Sequence, residues 1–217
     1  MALTDAEFEA RLDAVLCERV PGCDGLIAAE RLSGGASQET YRVTARAGGG
    51  ERRLAMRRAP GGEAPFTATD TAGLPGEALL MRTARAVGVP EPEVYYVLEE
   101  SDGLGDAFLM EWLDGETLGA RIVRSPDLEA IRPKLAHECG RILARIHGID
   151  LVATGLDRVL SGYPPAESVE LQWVGDRTFE TPQPMIDYTA RWLLDNLPPP
   201  ATPALVHNDF RNGNLMV

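Results

Sequence analysis

The chain has 217 residues, 44% apolar and 25% charged, the proportions of an ordinary globular protein long enough for one filled domain or two small lobes. A net charge of −12 argues against nucleic acid as a partner, because phosphate contacts need a concentrated basic surface. No apolar run approaches the roughly 20 residues of a membrane helix. The start, MALTDAEFEARLDAVL, lacks the basic-then-apolar pattern of a secretory leader, and Cys17, Cys23 and Cys139 are odd in number and lack metal-ligand spacing. These features predict a cytoplasmic protein with no nucleic-acid or membrane partner. The acidity would suit a cationic ligand and serves equally well as a solvated surface.

Thr4-Asp5-Ala6-Glu7 reads as a capping box ahead of a helix with Phe8, Leu12, Val15 and Leu16 on one face, ended by Pro21-Gly22. A β-rich stretch follows. Residues 26–32 form a first strand, Ser33 to Ser37 a glycine-rich turn, and residues 39–46 a second strand in which Tyr41, Val43 and Ala45 alternate with polar residues. Gly48-Gly49-Gly50 closes a hairpin into a third strand ending at Arg58. Residues 61–76, rich in Gly, Pro and Thr, predict a mobile connection, and a helix runs from about Pro75 to Val87 with Gly88 as its stop. Two strands, 94–98 and 107–112, are joined through Ser101-Asp102-Gly103.

Beyond Leu113-Asp114-Gly115 the pattern turns helical. Leu135, Cys139, Ile142, Leu143 and Ile146 form a stripe after Pro133, and residues 185–197 form another amphipathic helix. Residues 161–184 show no period and read as a long loop, whose Trp173 and Phe179 are candidates for an acceptor site or its lid. Leu205-Val206 reads as a short strand leading into a last loop. No internal repeat is visible.

That last loop, His207-Asn208-Asp209-Phe210-Arg211-Asn212-Gly213-Asn214, has the form H-x-D-x-x-x-x-N. It offers a carboxylate that can take a proton from a hydroxyl and an amide that can hold a metal ion, the pairing needed to move a phosphoryl group from ATP to an alcohol. Three upstream features fit the same chemistry, and each also has a plain structural explanation. Ser33, Gly34, Gly35 and Ser37 could present backbone N–H groups to phosphate, or form an ordinary hairpin turn. Arg57, on the face of Ala55, could reach phosphate, or be solvated as Arg58 is expected to be. Glu77 could pair with that cation, or merely favour the start of its helix.

The order of these parts resembles a eukaryotic-like kinase. In the stretches LSGGASQETYRV, LAMRRAP, PGEALLMRTARAVGVPEPEVYYV, FLMEWLDGETL, GRILARIHGID and LVHNDFRNGNLMV, the chain resembles the aminoglycoside phosphotransferase and choline-kinase-like group. It is especially similar to the branch of kinase domains fused to acyl-CoA dehydrogenases. The resemblance implies an α+β, protein-kinase-like two-lobed fold. Residues 1–113 would be a nucleotide-binding lobe with an antiparallel sheet and one main helix, and residues 114–217 part of a mostly helical catalytic lobe.

The resemblance also implies ATP and Mg²⁺ as cofactors and a hydroxylated small molecule as acceptor. Asp209 would be the catalytic base and Asn214 a metal ligand. Arg57 would stand where the family usually has a phosphate-binding lysine, with Glu77 as its helix partner. Met110, Glu111 and Trp112 would be the hinge that binds adenine through backbone groups. His207 and His147 are expected to be structural, and His137 to lie on a helix surface.

Two departures from the family pattern stand out. Position 208 is Asn where the family usually has Gly, a change that Asn's tolerance of unusual backbone angles can accommodate. The family also places a second metal-binding Asp after this loop, and the sequence stops at Val217 before such a segment. On that basis the 217-residue polypeptide is expected to be inactive or nearly so, with Leu215-Met216-Val217 an unpaired strand stub. A noncatalytic nucleotide-binding module is the alternative.

Overall fold

The computed structural model describes residues 3–32, 38–62, 72–160, 162, 164–176, 183–199 and 202–217. Thr4 caps the first helix, α1 (Asp5–Arg19). Its hydroxyl accepts the Glu7 N–H at 3.3 Å while the Glu7 carboxylate takes the Thr4 N–H at 2.9 Å, so two orphan donors are satisfied reciprocally. Alternating side chains then build β1 (Gly25–Arg31), β2 (Glu39–Ala47) and β3 (Gly50–Arg58). Ala47 pairs with Gly50 across a two-residue turn in which Gly48 and Gly49 have φ of 54° and 85°. Positive φ at both central positions is what the twist of a tight hairpin demands and what glycine supplies.

Helix α2 (Gly73–Ala86) ends as the sequence predicts, at Gly88. Gly88, with φ 84°, donates to the Arg85 carbonyl, and Val89 donates to that of Ala84. This is a Schellman stop, completed by burial of Ala84 and Val89 in one cluster. β4 (Val94–Val97) and β5 (Ala107–Glu111) complete an antiparallel five-stranded sheet of order β1-β2-β3-β5-β4. The sheet carries a helix on each face. α1 packs Leu12, Val15 and Leu16 against Val43, Leu54, Met56 and Leu109, and α2 packs Leu74 and Ala78 against Phe108 and Val94. Phe108 and Leu12 are fully buried, and truncating either to alanine would cost about 2–5 kcal/mol.

Helices α3 (Gly119–Arg124) and α4 (Arg132–His147) follow. Pro133 lies in the first turn of α4, where its missing N–H costs nothing. The predicted stripe faces inward: Ile146 is buried in a cluster with Ala84, Val89, Ile149 and Leu156, and Ile142, like Leu79 and Leu80 of α2, packs against that cluster. His137 is exposed on α4, and His147 ends it.

The chain forms two compact units, Met1–Leu160 with Leu205–Val217, and Ser161–Ala204. The second unit corrects the expectation of a long loop. It contains α5 (Pro165–Asp176) as well as α6 (Pro184–Asp195). Val169 and Trp173 fall on one side of the helix and Leu171 and Val174 on another, so no single apolar stripe reveals α5, although Pro165 at its first position is a start signal. Phe179 and residues 63–71 lie outside the described residues.

Two further expectations are corrected. Leu205-Val206 is not a strand, since no described strand runs beside it to supply a ladder. Val217 is not unpaired, because it exchanges two backbone hydrogen bonds with Glu116, at 2.9 and 3.1 Å. Among the described residues, no helix is long and apolar enough to cross a membrane, and all three cysteines are free thiols.

Candidate active site

Strand alternation places consecutive arginines of β3 on opposite faces of the sheet. Arg57 turns toward α2, where its Nη1 pairs with Glu77 Oε1. Its Nε donates to Gln38 Oε1 at 2.8 Å, its Nη2 donates to the same oxygen, and Gln38 Nε2 reaches Glu77 Oε2 at 3.4 Å. The cation and carboxylate expected from the sequence therefore meet, and Gln38, which sequence reasoning passed over, joins them.

Arg58 is the reverse of a solvated side chain. It is buried on the α1 face, donating to Glu39 Oε2 at 2.9 Å and to the Leu104 carbonyl at 2.8 Å, with its guanidinium 5.3 Å from the Phe8 ring centre. Burial pushes the Glu39 carboxyl upward. Hydrogen bonds from Arg58, the Gly61 N–H and Tyr41, together with the charge of Arg31, outweigh it and hold Glu39 below the usual carboxylate range.

Ser33, Gly34, Gly35 and Ser37 lie outside the described residues. Just before them, the Leu32 N–H donates to the Thr40 carbonyl at 2.8 Å. At the expected hinge, Met110, Glu111 and Trp112 are half-buried at the end of β5. The Glu111 N–H already donates to the Glu93 carbonyl at 2.8 Å and so is not free for another acceptor. The Trp112 indole donates to Asp114 at 2.9 Å, and Asp114 pairs with Arg53.

The H-x-D-x-x-x-x-N loop folds back on itself. Asn214 Nδ2 donates to Asp209 Oδ2 at 2.6 Å and to the Asp209 carbonyl at 2.9 Å, and Arg211 Nε donates to Asp209 Oδ1 at 2.7 Å. The hydrogen bond from Arg211, then that from Asn214, holds the exposed Asp209 carboxyl below its ordinary value, so it remains an ionised acceptor. Arg211 was not singled out from the sequence, although a cation two residues from the Asp on the same loop is a signal that could have found it.

Asn208 has φ 61°, the one positive φ at a non-glycine among the described residues, a conformation that Asn tolerates better than most side chains. His207 meets Phe210 edge-on, with ring centres 5.3 Å apart. Glu91 links the two halves of the site electrostatically. Burial raises its carboxyl, His207 opposes that shift, and Glu77 reinforces it. Among the described residues no group of three or more His, Cys, Asp or Glu could hold a metal, so a cation at this loop would lean on Asn214 and not on a carboxylate cluster.

The family model described as "Phosphotransferase enzyme family" matches residues 28–217. The chain belongs to this family. Within it, residues 28–217 hold every part of the site described above, from the turn after β1 to Asn214. Among curated relatives, acyl-CoA dehydrogenase family member 10 of Mus musculus is 30% identical over 190 residues, covering 84% of this chain and 17% of that protein. Acyl-CoA dehydrogenase family member 11 of Gallus gallus is 25% identical over 219 residues, covering 96% of this chain and 27% of that protein. The chain thus spans between a sixth and just over a quarter of these relatives.

The fold matches a crystal structure of a proposed aminoglycoside phosphotransferase from Ralstonia eutropha JMP134. The TM-score is 0.75 at 22% identity, over 96% of this chain and 60% of that one. The chain is therefore a member of the phosphotransferase family with the kinase-like fold of that neighbour, as the sequence resemblance implied.

Proposed function

We propose that this protein is an ATP-dependent O-phosphotransferase acting on a hydroxyl of an aminoglycoside-like compound or another hydroxylated metabolite. Residues 1–113 would serve as its nucleotide lobe and 114–217 as part of its catalytic lobe. The observation that carries the reading is the Asp209 carboxylate, kept ionised by Arg211 and tied to Asn214. The Arg57–Glu77 pair supports it with a fixed cation for the phosphates of ATP.

Asp209 accepts the proton of the acceptor hydroxyl as its oxygen bonds to the γ-phosphorus and the bond from that phosphorus to the β–γ bridging oxygen breaks. ADP leaves with that electron pair. A positioned base of this kind is worth about 10²–10⁴ in rate. Arg57 steadies the phosphates in the order set by Glu77, and residues 110–112 seat the base of the nucleotide. Asn214 Nδ2 is spent on Asp209, while its Oδ1 carries no hydrogen bond among the described residues and fits a hard cation that prefers few protein ligands. Bound there, Mg²⁺ would neutralise charge on the phosphates. The absence of a membrane-spanning helix among the described residues and the free thiols support a cytoplasmic setting.

The test is ³¹P NMR of the protein purified from its source cells, incubated with ATP, magnesium chloride and a panel of amino-sugar and aliphatic alcohols. A phosphate monoester appearing in step with ADP supports the reading. ATP that neither binds nor is consumed with any acceptor contradicts it.

A further inference from the structure

Gln38 and Glu39, the two residues leaving the glycine-rich turn, grip Arg57 and Arg58, the last two residues of β3, on opposite faces of the sheet. Glu39 is buried and anchored by Arg58, Tyr41 and the Gly61 N–H, so the backbone carrying Gln38 is held firmly at its next residue. From that fixed point the Gln38 amide oxygen receives both Nε and Nη2 of Arg57, and its amide nitrogen turns to Glu77.

A lysine ammonium is a compact point charge whose donors rotate freely, so one carboxylate suffices to place it. A guanidinium is a plane. A single ion pair at Nη1 fixes its position and leaves its orientation free, whereas phosphate recognition depends on that orientation. Gln38 supplies the second hold, along a different edge. Three nitrogens of Arg57 are engaged, one hydrogen bond or ion-pair contact each, and the remaining Nη hydrogens stay available to an anion.

We propose that Gln38 is a positioning residue for the nucleotide, orienting the Arg57 guanidinium toward phosphate where a lysine would need no such support. This rests on the reading that Arg57 contacts the phosphates of ATP. The glutamine is therefore coupled to the arginine, and its importance disappears when the cation loses its plane.

The experiment is a double-mutant cycle read by calorimetric titration with ATP in magnesium chloride, using the wild type, Gln38→Ala, Arg57→Lys and the double variant. Arg57→Met serves as a control, and melting temperatures are recorded throughout. Gln38→Ala should weaken ATP binding about tenfold in the wild-type background, the scale of a lost hydrogen bond to a charged group. In the Arg57→Lys background it should change binding by less than about twofold, since the coupling is gone. Gln38→Leu, which keeps the volume and removes the oxygen, should repeat the loss and covers the case in which the alanine variant does not fold.

Equal effects of Gln38→Ala in both backgrounds, or none in either, would overturn the proposal while leaving the ATP reading intact. Unchanged binding in Arg57→Met, or no binding by the wild type, would overturn the nucleotide role of Arg57 and the proposal with it.

Discussion

Asn214 holds Asp209 by two hydrogen bonds from one amide nitrogen, 2.6 Å to the carboxylate and 2.9 Å to the backbone carbonyl. The five-residue spacing read in the sequence is thus the spacing at which the loop closes on itself, bringing carboxylate and amide together. Preorganisation of this kind leaves less ordering to be done at the moment of reaction.

Arg211 occupies the other carboxylate oxygen of Asp209. Its removal takes away the largest influence that lowers the Asp209 carboxyl, so Arg211→Met should raise the carboxyl's titration midpoint toward the ordinary value of 3.8. Carboxyl ¹³C NMR titration measures this directly. A depressed folded value means that the stabilisation is present above the unfolded value and is lost as pH falls through the folded one, so the variant should be less stable than the wild type above the ordinary value and the two should converge in the acid range. Arg211→Lys should restore part of the shift.

Asn208 sits in the left-handed region, where Asn and Gly are tolerated and β-branched residues are not. Asn208→Gly should leave urea-denaturation stability nearly unchanged. Asn208→Val should lower it by about 1–2 kcal/mol and loosen the loop around Asp209.

Arg58 and Glu39 form a buried pair with both side chains 8% exposed. Arg58→Met alone strands the carboxylate and should cost about 3–5 kcal/mol by urea denaturation. Pairing it with Glu39→Leu should recover most of that loss, because two well-packed apolar side chains replace an ion pair whose desolvation is costly.

Glu91 is raised by burial and by Glu77, against the opposing charge of His207, while Arg85 Nη1 donates to the Glu91 backbone carbonyl and pairs with the Glu111 carboxylate. A carboxyl with a raised folded value gives stability that is complete below its unfolded value of 4.5 and is lost as pH rises through the folded value. Glu91→Gln should therefore raise the melting temperature near neutral pH and change it little near pH 4. A scan of melting temperature against pH for both proteins checks this.

Much of the scaffold was legible because local chemistry dictated it: the Thr4–Glu7 box, the Gly48-Gly49 hairpin, the Gly88 stop and the alternation that put Arg57 opposite Glu77. What escaped depended on contacts distant in sequence. Nothing local distinguishes Arg58 from Arg57 as the buried one, since that follows from Glu39 and Leu104 closing over it. Gln38 looks like any polar residue after a turn until β3 and α2 surround it. Helix α5 lacks an apolar period, and the pairing of Val217 with Glu116 joins segments about a hundred residues apart.

The central claim is that Asp209 acts as the base while the nucleotide is held elsewhere, and the most direct measurement compares wild type with Asp209→Asn for both phosphoryl transfer and ATP affinity. In Asp209→Asn transfer should fall by about 10²–10⁴ while the ATP dissociation constant stays within a few-fold of wild type. Transfer that survives the substitution, or a loss confined to ATP affinity, would contradict it.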